Sequence, residues 1–148
     1  MQTKNWKEAH AGLQHNMQQE IETMREILAN MHQEEVTLIQ KDKHAWSQIM
    51  EERSHLLNQL NTIRKARLEA TQKLESIAGG PLETALPFQD ENSCETLFLH
   101  DQLLALIDRL NLQNSRNEAL FHISNTQPHL LPEPLKPKTS IATIPPKE

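Results

Sequence analysis

The side chains best suited to metal chemistry are eight histidines and one Glu-x-x-His motif, Glu52 to His55. Di-iron helical bundles use this spacing for metal ligation, but they need the motif twice, together with two further carboxylates. The chain has no second copy, and it has no His-Glu-x-x-His zinc motif. The other histidines are scattered: His10, His15, His32, His44, His100, His122 and His129. We therefore predict no metal site and interpret the histidines as surface residues.

Nucleophilic catalysis is the other chemistry that the residue types permit, and Cys94 is the only cysteine. A catalytic cysteine needs a paired base and an oxyanion hole. With 3 glycines, the chain has no glycine-rich turn for such a site, and neither a GxGxxG nor a GxxxxGKS/T run occurs. We predict a protein that is not an enzyme and has no cofactor. A lone cysteine cannot form an internal disulfide, which favours a reducing compartment.

Charge and hydropathy exclude other classes of partner. The formal net charge is −5, whereas proteins that bind nucleic acid do so through basic surfaces. The local excess of basic residues at Arg64, Lys65 and Arg67 is interpreted as a solvated helix face. The N-terminal sequence lacks an apolar signal core, and no apolar run reaches the length of a membrane span. We expect a cytoplasmic protein without membrane insertion.

Helices must position these residues, because large apolar side chains recur at intervals of three and four. The first stripe begins after Trp6 and comprises Leu13, Met17, Ile21, Met24, Leu28, Met31 and Leu38. No proline precedes Pro81, so the first helix is predicted to run over about 5–40 without interruption. Aromatic residues make up only 3% of the chain, which favours thin apolar seams between helices over a thick globular core.

The same spacing predicts a second helix over about 43–78, but the stripe is weak from Gln40 to His44. Two arrangements fit this pattern: one continuous helix of about 105 Å, or an antiparallel hairpin with a tight turn near Asp42. We favour the hairpin, because an antiparallel partner buries both stripes within one chain. Gly79-Gly80-Pro81 should end the second helix, since glycine accepts a left-handed conformation and proline cannot continue the helix.

A linker over 79–93 precedes a third amphipathic helix, predicted over about 94–125. Its apolar stripe is broader than the first, and its middle is polar. The predicted fold class is all-α: a long antiparallel helical hairpin plus a third long helix, in an elongated, coiled-coil-like bundle. These elements form one predicted helical domain over 1–126.

The C-terminal segment over 127–148 differs sharply in composition, since it holds six of the eight prolines. Dense proline favours extended conformations with a solvated backbone, so we predict a flexible, disordered tail. The leucines and isoleucines between the prolines leave two interpretations open. The segment is either a docking segment for another protein or a plain tail.

Two groups of residues carry a resemblance to a known family. The first group lies in the first half of the chain and has three parts: an acidic-apolar run, then an aspartate, then a basic residue ahead of a Leu-Leu pair. Its residues are, in order, Glu34-Glu35-Val36-Thr37-Leu38, Asp42, Trp46, Ile49, Glu52-Arg53, Leu56-Leu57, Leu60 and Arg67. In the third helix, Leu110-Asn111-Leu112-Gln113-Asn114 precedes Leu120 and Phe121. Over nearly the full chain, this order resembles the FlgN-type flagellar export chaperones, including their Asn-x-x-Asn segment. Arg53 departs from the family, which commonly has lysine there.

The resemblance implies a cytosolic chaperone that binds hook-filament junction (hook-associated) proteins and delivers them to the flagellar type III secretion apparatus. The cargo would be held by a helix-in-groove contact without catalysis. The predicted cargo-binding residues are Leu103, Leu106, Ile107, Leu110, Asn111, Asn114, Leu120 and Phe121. The proline-rich tail would contact the export gate or a component of the ATPase complex. Formation of a homodimer stays open.

Two other classes of function remain open on the sequence. A coiled-coil scaffold protein of a secretion or cell-envelope assembly would form one dimeric helix over 5–77. The polar seam residues Asp42, Arg53 and Arg67 argue against that arrangement. A ferritin-like metalloprotein would need a second Glu-x-x-His motif, and metal analysis of the purified protein would test it.

Overall fold

Long α-helices make up almost all of the structure, a computed structural model that describes residues 2–82 and 93–125. The helices are α1 (Gln2–Gln40), α2 (Lys43–Ala78) and α3 (Ser93–Asn125). The all-α prediction is confirmed, and these two described ranges contain no strand. Within them, no helix is both long and apolar enough to pass through a membrane. The predicted flexible tail and most of the predicted linker lie outside the described residues.

A two-residue turn separates α1 from α2 near the predicted break. Lys41 takes the left-handed conformation with φ +59°, and Asp42 has an extended backbone. The Asp42 side chain accepts a hydrogen bond from the Ala45 amide at 3.1 Å, and such a cap satisfies an amide that the first helical turn leaves unbonded. Because α1 ends at Gln40, a continuous helix over 5–77 is not formed.

Gly79 ends α2 as the sequence predicted. Its backbone is left-handed, with φ +79°, and its amide donates to the Glu75 carbonyl at 2.8 Å. The Gly80 amide bonds to the same carbonyl at 3.2 Å. Together these bonds satisfy a carbonyl of the last helical turn, which would otherwise lack a partner.

Helix α2 runs antiparallel to α1. Hydrogen bonds join Glu20 in the middle of α1 to Arg67 in the second half of α2, and Glu34 near the end of α1 to Arg53 in the first half of α2. Residue numbers therefore rise along α1 as they fall along α2. The chain doubles back at the Asp42 turn.

Helix α3 runs parallel to α1 and packs along it. The Gln14 side chain donates to Thr96 at 2.9 Å, and the Asn117 side chain donates to the Met31 carbonyl at 2.8 Å. Residue numbers therefore rise together on both helices. Helices α2 and α3 both pack extensively against α1, whereas their own backbones come close to each other at few positions, so α1 is the central helix.

Two apolar clusters lie between the helices. The larger cluster draws on all three: Trp6, Ala9, Leu13, Met17, Ile21, Met24, Ile27, Met31, Leu56, Leu60, Leu74, Leu99, Leu103, Leu106, Ile107 and Leu110. The smaller cluster lies near the α1–α2 turn and consists of Leu38, Trp46 and Phe121. The rings of Trp46 and Phe121 are 5.6 Å apart, so α3 also contributes to the core at this end.

The interpretation of Arg64 and Arg67 as a solvated face is wrong, because both side chains are buried against α1. The Glu20 carboxylate accepts from Arg64 Nε at 2.8 Å and from Arg67 Nε at 2.6 Å. Helical spacing places these arginines on the same stripe as Leu60 and Leu74, which faces the core. Lys65 is exposed, as expected.

Replacing Glu20 with Gln should lower the free energy of unfolding by about 3 kcal/mol, because two buried guanidinium groups would lose their counter-charge. Urea denaturation followed by far-UV circular dichroism measures the change. The matched control is Glu22→Gln on the exposed side of α1, expected to change the stability by less than about 0.5 kcal/mol. Equal effects of the two substitutions would contradict a structural role for the buried pair.

Candidate interaction surface on the third helix

The predicted cargo-binding residues lie together on the side of α3 that packs against α1. The buried members are Leu103, Leu106, Ile107, Leu110, Asn114 and Phe121, and the half-buried members are Asn111 and Leu120. We call this set the inner stripe. Leu110 is 0% exposed, so the inner stripe is part of the core of this structure. Its contact with cargo stays a prediction, and that contact requires α3 to move away from α1.

A buried carboxylate joins all three helices beside the inner stripe. Glu34 is 0% exposed. Its Oε1 accepts hydrogen bonds from Arg53 Nη2 and from Asn117 Nδ2, each at 2.7 Å. Its Oε2 accepts a longer bond from Trp46 Nε1 at 3.3 Å. The donors come from α2 and α3, and one acidic side chain of α1 thereby positions both neighbouring helices.

Asn30 extends this network on the α2 side. Its Oδ1 accepts from Arg53 Nε at 2.8 Å, and its Nδ2 donates to the Ile49 carbonyl and to Glu52 Oε1. Glu52 of the Glu-x-x-His motif thus bonds to an amide of α1, while His55 is exposed. Across the described parts of the chain, no group of three or more His, Cys, Asp or Glu side chains is arranged to hold a metal ion.

Glu35 extends the network on the α3 side. Gln113 Nε2 donates to Glu35 Oε1 at 2.6 Å and to Asn117 Oδ1 at 3.0 Å. Arg116 Nη2 bonds to Glu35 Oε2 at 2.8 Å. The Gln113 hydrogen bond, together with the charge of Arg116, lowers the pKa of the Glu35 carboxyl from its ordinary value of 4.5. Burial acts in the opposite direction but does not cancel this effect.

Sequence reasoning treated these polar residues separately and did not predict that they meet. Glu34, Arg53 and Gln113 lie within the segments that carry the family resemblance, and Asn117 follows three residues after the second segment. One signal was available: Glu34 and Arg53 each lie three or four residues from apolar stripe residues, so each shares the apolar face of its helix. The two helices were predicted to be antiparallel, which would bring opposite charges together in the core. Asn111, by contrast, has a buried Oδ1 for which no partner exists among the described residues.

His10 corrects the expectation that all histidines are surface residues. It is 2% exposed, its ring lies 5.6 Å from the Trp6 ring, and its Nε2 is hydrogen-bonded to the Thr96 hydroxyl. This contact joins the start of α1 to the start of α3. Both ends of α3 are therefore fixed to α1 by polar as well as apolar contacts.

Helix α3 also has apolar residues on the side that faces away from the core. Phe98 is 59% exposed and Leu112 is 67% exposed, and Ala105 and Ala119 are exposed at the same seven-residue spacing. This spacing places the four side chains on one face of a helix. With Cys94 and Ile123 at its ends, we call this set the outer stripe. Its side chains are exposed and lie outside the two apolar clusters between the helices.

Comparison of the chain with protein-family models, with curated proteins and with solved structures gave no match. The resemblance to export chaperones therefore depends on the motifs in the sequence itself.

Asn117→Ala should lower the free energy of unfolding by about 2 kcal/mol, because Glu34 and the Met31 carbonyl lose a buried donor. Amide hydrogen exchange should accelerate mainly in α3, since the lost hydrogen bonds join α3 to α1. Ser115→Ala, at an exposed position of the same helix, is the control. Equal acceleration in α2 and α3 would show that the helices open as one unit, against this expectation.

Glu35→Gln should lower stability by about 1 kcal/mol at neutral pH. Because the pKa of Glu35 is lowered on folding, its stabilisation is complete above pH 4.5 and is lost as the pH falls through the folded-state pKa. The difference in stability between wild type and variant should therefore be constant between about pH 7 and about pH 4.5 and should decrease as the pH is lowered further toward about pH 3. Urea denaturation across this range tests it, with the exposed Glu26→Gln as control. A difference that does not depend on pH would contradict the assignment.

Proposed function

We propose that the protein is a cytosolic export chaperone of the FlgN type, which binds hook-associated proteins and delivers them to the flagellar type III secretion apparatus without catalysis. The observation that carries this proposal is the one-sided attachment of α3. This helix packs extensively along α1, whereas its backbone comes close to α2 at few positions and Phe121 contacts Trp46. It can therefore separate from α1 while the α1–α2 hairpin keeps its own interface.

The placement of the family-like motifs supports the proposal. Glu34 and Arg53 come from the first motif segment and Gln113 from the second, and all three belong to one hydrogen-bonded network. The network gives a physical reason for the order of these residues along the chain, because each motif supplies one side of the contact between α3 and the hairpin.

Cargo binding then takes the form of an exchange of partners. When α3 leaves α1, an amphipathic helix of the cargo covers the inner stripe, including Leu103, Leu106 and Leu110, through a helix-in-groove contact. Until then α1 covers the same side chains, which keeps an aggregation-prone apolar surface out of water. The apparent affinity for cargo is reduced by the small fraction of molecules in which α3 is open.

The proline-rich segment over 127–148 is proposed to act separately from the cargo site. Its composition is typical of extended segments, and its leucines and isoleucines provide side chains for docking. We propose contact with the export gate or with a component of the ATPase complex. In this arrangement the chaperone holds cargo with α3 while the tail contacts the export machinery.

The alternative function is that of a helical scaffold protein in a secretion or cell-envelope assembly. The outer stripe favours it, because Phe98 and Leu112 are exposed without serving the fold. A scaffold would assemble without cargo and would not retain hook-associated proteins.

The exchange model predicts that loosening α3 strengthens cargo capture. Asn117→Ala should lower the dissociation constant for a hook-associated protein fragment by about tenfold, because more molecules have α3 open. Isothermal titration calorimetry with the full chain measures it, with the exposed Ser115→Ala as control. Unchanged affinity in the Asn117 variant would contradict the exchange of partners. A wild-type protein that captures no hook-associated protein would contradict the function itself.

Fixing α3 to α1 should abolish capture. A variant with Glu35→Cys and Gln113→Cys, with Cys94→Ser to remove the native thiol, can be joined by a short thiol-reactive crosslinker at two side chains that contact each other. The uncrosslinked form of the same variant is the control and should bind cargo. Equal binding by the two forms would show that cargo does not need the inner stripe.

A further inference from the structure

We infer that α3 pairs with α3 of a second copy of this chain, antiparallel and through the outer stripe, to form a symmetric homodimer. The inner stripe stays on α1 in this dimer, so the inference does not depend on the proposed function. It depends on the pattern of size and charge along the outer stripe, which is complementary to itself when one helix is reversed.

The apolar side chains match in size in this arrangement. One register places Phe98 opposite Ala119 of the second copy and Ala105 opposite Leu112, so every large side chain meets a small one. Phe98 and Leu112 are 59% and 67% exposed in the single chain. Each pair occurs twice in a symmetric dimer, because the two-fold axis that places residue i of one copy opposite residue j of the other also places residue j of the first opposite residue i of the second. Large-to-small alternation of this kind allows facing side chains to interdigitate.

The charged side chains match in the same register. Asp101 stands opposite Arg116 of the second copy, and Asp108 stands opposite Arg109. All four side chains are exposed, and they share the face of α3 that carries the outer stripe. Arg116 also bonds to Glu35 of its own chain, and a guanidinium has enough donors for both carboxylates. Opposite charges facing each other select a partner and its orientation.

The ends of the helix agree with the register as well. Glu95 stands opposite His122 of the second copy, and Cys94 stands opposite Ile123. The two helices, of 33 residues each, then overlap along nearly their whole length of about 50 Å. Sliding one helix by seven residues keeps the same face in contact but leaves a heptad at each end without a partner. It also separates Asp108 from Arg109.

A parallel pair is disfavoured by the same residues. In parallel alignment Asp101 would face Asp101, Asp108 would face Asp108, and Phe98 would face Phe98. Like charges opposite each other destabilise a helix pair. Two phenylalanines in one layer and two alanines in the next would alternate crowding with gaps. The antiparallel arrangement removes both problems at once.

Sedimentation equilibrium of the full chain tests the inference. The wild-type dimer should have a dissociation constant below about 100 μM. Leu112→Asp should make the chain monomeric with unchanged helical content. The control is Val36→Asp, which places the same charge at an exposed apolar site of α1 and should leave the dimer intact. A wild type that stays monomeric, or equal effects of Leu112→Asp and Val36→Asp, would overturn the inference. Either outcome leaves the cargo experiments to be judged on their own.

Charge reversal tests the register. Asp108→Arg places arginine opposite Arg109, and Arg109→Asp places aspartate opposite Asp108, so each variant should dimerise about tenfold more weakly than wild type. An equimolar mixture should regain wild-type affinity, because each variant supplies the charge that the other lacks. Variants that dimerise as wild type does, or a mixture that does not recover, would overturn this register.

A disulfide test reports the direction of pairing. Ile123→Cys places a thiol opposite Cys94 of the second copy and should give covalent dimers on mild oxidation. The wild type should stay unlinked, because its two Cys94 thiols lie at opposite ends of an antiparallel pair. Covalent dimers of the oxidised wild type would indicate parallel pairing and overturn the proposal.

Discussion

The carboxylate of Glu34 is the constraint on which the arrangement of the three helices depends. An isolated buried carboxylate costs several kcal/mol through lost hydration, and only close donors offset that loss. Here Arg53 and Trp46 of α2 and Asn117 of α3 provide those donors. Any other alignment of the helices would leave the charge without some of its partners, so one side chain selects the alignment of two interfaces.

The apolar stripes provide most of the attraction but little of this selectivity. Leucines, isoleucines and methionines at three- and four-residue spacing still meet when a helix slides by one turn, about 5.4 Å. Glu20 removes that freedom on the α1–α2 side, since it bonds to both Arg64 and Arg67. Buried polar residues are known to specify alignment in helical pairs. The core of this protein is therefore held by apolar packing and aligned by charge.

Local patterns in the sequence predicted the bounds of the helices better than they predicted which helix faces pack against each other. The predicted second helix, 43–78, coincides with Lys43–Ala78, because an aspartate cap and a glycine end act within a few residues. The burial of Arg64 and Arg67 was missed, since a charged residue on a helix is usually solvated and its distant partner leaves no local mark. Apolar residues on both faces of α3 likewise do not reveal which face the fold covers. That answer depends on which helix lies beside it.

The central position of α1 has a consequence for synthesis of the chain. On the ribosome, α1 and α2 can form their interface as soon as both have emerged, because the turn at Asp42 keeps their contacts close in sequence. Helix α3 emerges later and must find a partner about 80 residues upstream, as the separation of Gln113 from Glu35 shows. A nascent chain therefore passes through a stage at which the face of α1 that later packs against α3 is exposed to solvent. The last helix to be translated completes the fold by covering that face.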